Sequence, residues 1–250
     1  MRFSSRIITI AEPVKKIQKG DGGDFNLNMK YLIKIDRQLL KWAYQQRFKN
    51  SFPIKALIFM GDGPFWMIIL FLAAFAGEWL NSDPFRQLAV SMMFGLMISN
   101  VAFVLCKTFV KRRRPYANAE LQQDLQFVIQ NRDPGHGSKA LESFPSGHVL
   151  WTTFCVSLIC FQFGYKVVLL LGWMIPAMVF LRLHLGVHYP SDVLASLVLA
   201  GITVASTLLA APHIMELVNG LEGHAGYLFG YWAFIVMFLI IGFKSWLKRV

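Results

Sequence analysis

Six apolar runs of nearly membrane-spanning length divide this 250-residue chain. They cover residues 57–80, 86–106, 148–164, 166–183, 193–211 and 226–243. A helix needs about 20 consecutive apolar residues to cross the hydrocarbon core of a bilayer. A hydrophobic fraction of 55% is also too high for a soluble domain of this size. The sequence therefore predicts an all-α, polytopic membrane helix bundle of about six transmembrane helices, in which the third and fourth runs form a tight hairpin.

The region before the first run divides into a tail and a helix. Residues 1–24 are polar and basic and lack the pattern of a secretory signal, so we expect this tail to be retained. Within 25–52, apolar and basic residues recur at helical spacing on two faces: Leu32, Ile35, Leu39 and Trp42 on one, Lys30, Lys34, Arg37 and Lys41 on the other. This pattern predicts an N-terminal amphipathic helix. Such a helix can lie on an anionic leaflet, where each basic residue near the surface contributes about 1 kcal/mol of binding free energy. It can instead pack on the bundle as a solvated helix. Residues 53–250 are predicted to form the transmembrane domain, with an active-site loop at 107–148.

The first of three ionisable motifs follows the second apolar run. Lys107 ends the run, and Arg114 precedes Pro115. About two helical turns separate the two cations, so both can point into one pocket. An ammonium and a guanidinium suit a phosphoryl dianion. The cations at 107–114 are also typical of a basic cluster that stops membrane insertion, and that interpretation stays open.

The second motif, Pro145-Ser146-Gly147-His148, directly precedes the third run. Ser146 or Gly147 suits a helix cap, and unpaired backbone N–H groups at such a helix start bind anions. Next to a bound phosphate, His148 can protonate the leaving oxygen, a step typically worth about 10²–10⁴-fold. A histidine in this place can equally be a structural residue.

The third motif, Arg182-x5-His188-x3-Asp192, lies between the fourth and fifth runs. Arg182 adds a second guanidinium, and Pro190 marks a turn before the next helix. From the start of that helix, the Asp192 carboxylate can hold one imidazole nitrogen of His188 and leave the other to attack phosphorus. Asp192 alone is equally typical of an ordinary helix N-cap.

In this order and spacing, the three motifs resemble the signature of the type-2 phosphatidic acid phosphatase superfamily, which includes membrane lipid phosphatases and vanadium haloperoxidases. The resemblance runs from about Asp62 to Asp192. It implies a phosphohistidine at His188 orientated by Asp192, His148 as general acid, and no metal or other cofactor. The phosphate cage it implies comprises Lys107, Arg114, Arg182, Ser146 and Gly147. The sequence departs at Leu181, where the family usually has serine; the lost hydroxyl weakens one phosphate contact and leaves every charged group in place.

The apolar runs favour the membrane lipid phosphatases of that family over the vanadium haloperoxidases. The haloperoxidases are soluble, whereas every motif here is attached to the end of an apolar run. We therefore expect a lipid phosphatase acting on phosphatidylglycerophosphate, phosphatidate, undecaprenyl pyrophosphate or a lipid A phosphate, with no nucleic-acid partner. Two other classes stay open. One is a phosphotransferase that passes the phosphoryl group from His188 to another lipid's hydroxyl, and the other is a non-catalytic protein that binds lipid phosphate.

Several other features receive smaller roles. Residues 116–144, with a flexible centre at 133–138, are either a headgroup-selecting segment or a plain surface loop. Asp62 is interpreted as the polar edge of the first span, without a catalytic part. His136 and His184 fall outside the motif positions and are interpreted as non-catalytic.

Basic residues are distributed unevenly between the two sides of the predicted bundle. If all six runs cross the membrane, the side that carries the three motifs and both termini holds every Lys and Arg except Arg86 and Lys166. The positive-inside rule assigns that side to the cytoplasm. We therefore expect a multi-pass protein of the bacterial cell (inner) membrane with a cytoplasmic active site, although many bacterial members of the family are thought to face outward.

Overall fold

The structure is a computed structural model that describes residues 23–46, 52–133, 140–221, 224 and 226–247. Helices dominate this described part. They are α1 (Gly23–Gln45), α2 (Phe52–Met60), α3 (Gly63–Trp79), α4 (Asp83–Phe109), a short 3₁₀ helix (Pro115–Ala117), α5 (Ala119–Leu125), α6 (Gly147–Phe163), α7 (Tyr165–Leu171), α8 (Met174–His184), α9 (Pro190–Leu221) and α10 (Tyr227–Leu247). Most of the predicted basic tail, the loop centre at 134–138 and His136 lie outside the described residues.

Each of the six predicted apolar runs lies in a helix or a broken helix pair. By length and hydropathy, three described helices can cross a membrane: α4, α9 and the combined span Tyr165–His184. The pair α2 and α3 adds a fourth if it is one span bent by 65°. Helix α6 and the Phe229–Lys244 part of α10 are apolar but shorter. The all-α polytopic membrane class is confirmed, with three to four candidate spans by this measure against about six predicted.

Two breaks in the helices follow directly from glycine and proline. Gly61-Asp62-Gly63-Pro64 separates α2 from α3, because proline suits the first turn of a helix, where its missing N–H costs no hydrogen bond. Gly164 adopts a φ of 81° between α6 and α7, a backbone conformation that glycine takes without steric cost. This turn is the tight hairpin predicted between the third and fourth runs.

The main apolar core lies between α3, α4, α6, α9 and α10. Trp66, Met92 and Phe154 are among its fully buried side chains. Gly95 of α4 allows the close approach of α6, since a Cβ there would meet the Phe154 ring at 2.1 Å. In a bilayer such contacts stabilise the bundle through close packing, because lipid tails are as apolar as leucine.

The second half of α1 packs on the polar end of the bundle. Leu40, Ala43 and Tyr44 are buried, whereas Leu39 and Trp42 are about half exposed. This half of the helix therefore buries one side and leaves an apolar strip uncovered. Its contact with an anionic leaflet stays a prediction.

Candidate active site

The three predicted motifs meet where the ends of α4, α6, α8 and α9 come together. The chain after α4 runs beside the chain before α6: the Ser143 N–H donates to the Arg112 carbonyl at 3.0 Å, and the Arg114 N–H donates to the Ala140 carbonyl at 2.8 Å. The Ser146 N–H donates to the Ser196 hydroxyl of α9 at 2.8 Å. These bonds hold the first and second motifs against the helix that begins beside the third.

His188 is buried in the turn between α8 and α9. Its Nδ1 lies 2.6 Å from the backbone carbonyl of Ser143 and 3.8 Å from Oδ2 of Asp192. The shorter distance is a hydrogen bond and the longer one is not. Because a carbonyl only accepts, Nδ1 must carry the proton, and the lone pair is on Nε2. The ring is therefore orientated by a backbone carbonyl, with the Asp192 carboxylate close by.

The Asp192 carboxylate is fully buried in the first turn of α9 and has several hydrogen-bond donors. It accepts from the Tyr189 N–H at 3.0 Å, from Arg112 Nη1 at 2.6 Å and from the Ser143 hydroxyl. The first of these bonds caps the helix start. The other two hold the carboxylate beside His188. Asp192 is therefore the third residue of α9 and not its N-cap, and the hydrogen bond that the sequence predicted between its carboxylate and the His188 ring is not made.

Arg182, at the end of α8, is fully buried. Its Nη2 lies 2.8 Å from Oδ2 of Asp133, which is also buried. Its Nε and Nη1 make no hydrogen bond within the described chain. Guanidinium groups have five donors, and leaving buried donors unsatisfied costs free energy. The unused donors can therefore receive an anion with several oxygens.

Asp133 belongs to none of the three motifs, and its position depends on how residues 126–133 dock. The neighbouring Arg132 stacks on the Tyr44 ring, with 3.7 Å between its Cζ and the ring centroid. Its backbone N–H donates to the Leu185 carbonyl at 3.2 Å. These contacts bring the Asp133 carboxylate to Arg182. No spacing rule in the sequence links the two residues.

The two cations of the first motif have different environments. Arg114 is buried, and its Nη1 donates to the Val187 carbonyl at 3.3 Å. Burial and the nearby Arg182 guanidinium lower the pKa of Arg114 to about 10, so it stays positively charged at neutral pH. Lys107 is half buried and donates to the Glu142 carbonyl, which places its ammonium beside the segment that contacts His188.

Ser146 and Gly147 lie at the N-terminus of α6. Ser146 is the N-cap residue, but its side chain makes no capping hydrogen bond. Its Oγ is buried and has no hydrogen-bond partner in the described part of the chain. The first N–H groups of any α-helix also lack intrahelical partners. A hydroxyl and backbone donors are thus available together at this helix end, as an anion site requires.

His148 follows in the first turn of α6 and is buried. Its Nε2 lies 3.1 Å from Oδ1 of Asp62, in the break between α2 and α3. Arg182 interacts electrostatically with both groups. His148 thus faces Asp62 as Arg182 faces Asp133, and Asp62, interpreted from the sequence as the polar edge of the first span, lies next to the predicted general acid.

Arg112 lies within the first motif but was not predicted to belong to the site. Its guanidinium lies 3.8 Å from the centroid of the Tyr189 ring, 2.6 Å from Asp192 and 3.1 Å from Asp36 of α1. Asp36 in turn accepts from the Ser191 N–H at 2.7 Å. Arg112 thus supports the carboxylate next to His188. Its place within a run of four cations gave no signal of this contact.

The chain is similar to known proteins over this same region. The model of the PAP2 superfamily matches residues 85–215. Decaprenylphosphoryl-5-phosphoribose phosphatase of Mycobacterium tuberculosis, in strains CDC 1551 / Oshkosh and ATCC 25618 / H37Rv, is 31% identical over 146 residues. That alignment covers 56% of this chain and 68% of the relative. The crystal structure of LpxE from Aquifex aeolicus superposes with a TM-score of 0.53 at 16% identity, covering 68% of this chain and 93% of that one, which shows a shared fold.

The family assignment follows from these matches. The superfamily model covers just over half of the chain, and the mycobacterial relative is matched over more than two thirds of its own length. The matched region includes all three motifs and the apolar helices to which they are attached. The chain therefore belongs to the PAP2 superfamily and is a membrane phosphatase that hydrolyses phosphoric esters.

Proposed function

We propose that the chain hydrolyses a phosphomonoester or pyrophosphate of a membrane lipid through a phosphohistidine at His188. The observation that carries the proposal is the buried Arg182 guanidinium, whose Nε and Nη1 have no acceptor in the described chain. Buried charges need good geometry and acceptors to offset their desolvation. A phosphoryl group supplies three oxygens, and Arg114, Lys107, Ser146 and Gly147 lie on the same end of the bundle to bind it.

The chemistry follows from the tautomer of His188. With Nδ1–H bonded to the Ser143 carbonyl, Nε2 attacks phosphorus and a P–N bond forms as the P–O bond to the lipid breaks. His148 gives its proton to the leaving oxygen. Water then attacks phosphorus and gives its proton to His148, the P–N bond breaks with its electron pair returning to Nε2, and inorganic phosphate leaves. The Asp192 carboxylate, 3.8 Å from Nδ1, stabilises the positive charge on the His188 ring.

The substrate class follows from where the site lies. Every proposed site residue sits at or just beyond an apolar helix end, so a lipid can keep its tail in the bilayer while its phosphate enters the cage. The mycobacterial relative is named for a phosphoribose carried on a decaprenylphosphoryl lipid. A phosphate on a lipid-linked headgroup therefore joins phosphatidylglycerophosphate, phosphatidate, undecaprenyl pyrophosphate and lipid A phosphate as a candidate.

Substrate preference is tested by phosphate release from detergent-purified protein with EDTA present. The substrates tested are these lipids and one water-soluble phosphate, which has the same headgroup as the lipid that is hydrolysed fastest but no lipid tail. We expect at least a tenfold higher kcat/KM for the lipid, because its tail concentrates it in the micelle that surrounds the protein and so raises the effective concentration of its phosphate at the cage. Equal rates for lipid and headgroup would contradict the lipid assignment. Transfer of labelled phosphate to a lipid hydroxyl instead of water would identify a phosphotransferase.

The proposed location is the bacterial cell membrane, with the site on the cytoplasmic side. The support is the distribution of Lys and Arg, together with the exposed Leu39 and Trp42 of α1, which suit contact with an anionic leaflet. In a variant without its three native cysteines, Gln123→Cys of α5 should resist an impermeant thiol reagent in intact cells. Ser82→Cys, between α3 and α4, should react. The reverse labelling pattern would place the site on the outer side.

A further inference from the structure

We propose that Asp62 is a positioning residue for His148: it holds the proton on Nε2 and so directs Nδ1 to the leaving oxygen. This inference rests on the proposed function, in which His148 is the general acid. It concerns a residue outside the three motifs. The arrangement gives His148 a fixed donor atom and a local counter-charge.

The Asp62 carboxylate is turned toward His148 and away from its own helix. Asp62 is the N-cap residue of α3, where an aspartate normally accepts from an N–H of the first turn. Here the side chain makes no capping hydrogen bond, and Oδ1 lies 3.1 Å from Nε2 of His148. The side chains are only 13% and 4% exposed. The carboxylate thus forgoes a capping bond that is usually worth about 1 kcal/mol.

The backbone beside Asp62 is fitted to the imidazole. A Cβ on Gly61 would lie 2.6 Å from Cδ2 of His148 and 2.6 Å from Cε of Met178. Any larger residue would push the ring or the helix break away. The break between α2 and α3, with its bend of 65°, therefore brings both a glycine and a carboxylate against one histidine.

The Asp62 carboxylate offsets the repulsion between a protonated His148 and the Arg182 guanidinium. Arg182 acts on His148 as a second cation, and Asp133 and Asp62 are the carboxylates that act on it. A protonated imidazole next to a guanidinium is disfavoured, and an adjacent carboxylate offsets that repulsion. Imidazolium with Nε2–H facing Asp62 releases its other proton, from Nδ1, to the leaving oxygen as the P–O bond breaks. The neutral ring keeps Nε2–H, and Nδ1 then accepts the proton of the attacking water.

The experiment compares two leaving groups in the full chain. Protonation matters for an alkoxide, as in phosphatidate, and little for 4-nitrophenolate, which leaves without a proton. For Asp62→Asn we expect kcat/KM on phosphatidate to fall by about 10–100-fold and kcat/KM on 4-nitrophenyl phosphate by less than about threefold, because kcat/KM reports the steps up to departure of the leaving group and not the later hydrolysis of the phosphohistidine. The double variant with His148→Ala should be no slower than His148→Ala alone, because both changes remove one function.

The controls separate this inference from the proposed function. Asp124→Asn removes an exposed carboxylate paired with Arg37 and should change neither rate. If Asp62→Asn does not fold, Asp62→Glu is measured instead and should show the same selective loss on phosphatidate. Equal losses on both substrates, or additive effects with His148→Ala, would overturn the positioning role. If His148→Ala itself lowers kcat/KM equally for both substrates, the general-acid role of His148 fails.

Discussion

Replacing His188 with alanine is expected to lower phosphate release from the preferred lipid by at least about 10³-fold, to the level of the assay background. The proposed covalent intermediate forms on Nε2, whose lone pair is fixed by the bond from Nδ1–H to the Ser143 carbonyl at 2.6 Å. Alanine would leave the cage intact, so lipid binding should survive the loss of turnover.

The phosphohistidine itself can be detected by trapping labelled phosphate on the protein. With lipid labelled in its terminal phosphate, rapid quenching in alkali should trap labelled protein, because a phosphohistidine is stable to alkali and labile to acid. The label should be absent from His188→Ala. His213→Ala, which removes an exposed histidine of α9, is the matched control and should keep both label and rate. Undiminished labelling of the His188→Ala protein would exclude His188 as the nucleophile.

The sequence predicted those parts of the fold and site that depend on local pattern. Apolar runs located the helices, because a lipid-facing or buried helix must be apolar along its length. The charged motifs were recognisable because ionisable groups are rare where such runs end. The number of spans was less predictable. A run such as 57–80 does not show that its chain bends by 65° at Gly61-Asp62-Gly63-Pro64.

Residues that act through long-range contacts were missed. Asp133 reaches Arg182 only because residues 126–133 dock on Tyr44 and Leu185. Arg112 lies in a run of basic residues that is typical of a stop-transfer cluster. Its contact with Asp192 depends on the chain after α4 running beside residues 140–143. Neither contact has a fixed spacing along the chain. They follow from tertiary packing, which the sequence pattern alone does not specify.

Replacing Arg182 with alanine is expected to reduce both activity and stability, for different reasons. It removes the buried guanidinium that we propose binds the phosphoryl oxygens, so kcat/KM should fall by about 10²–10³-fold. It also leaves the buried Asp133 carboxylate without the cation 2.8 Å away. Breaking a buried ion pair from one side typically costs about 3–5 kcal/mol. Thermal unfolding in detergent and lipid-phosphate hydrolysis should therefore both report the change.

A second substitution separates the two effects. Asp133→Asn in the Arg182→Ala background removes the buried negative charge that faced this cation, so part of the lost stability should return while kcat/KM stays low. Asp133→Asn alone is the matched single variant that completes the thermodynamic cycle. If the double variant regained activity together with stability, Arg182 would act only as a counter-ion for Asp133. Phosphate binding would then depend on Arg114, Lys107 and the start of α6, and the cage as proposed would lose its central cation.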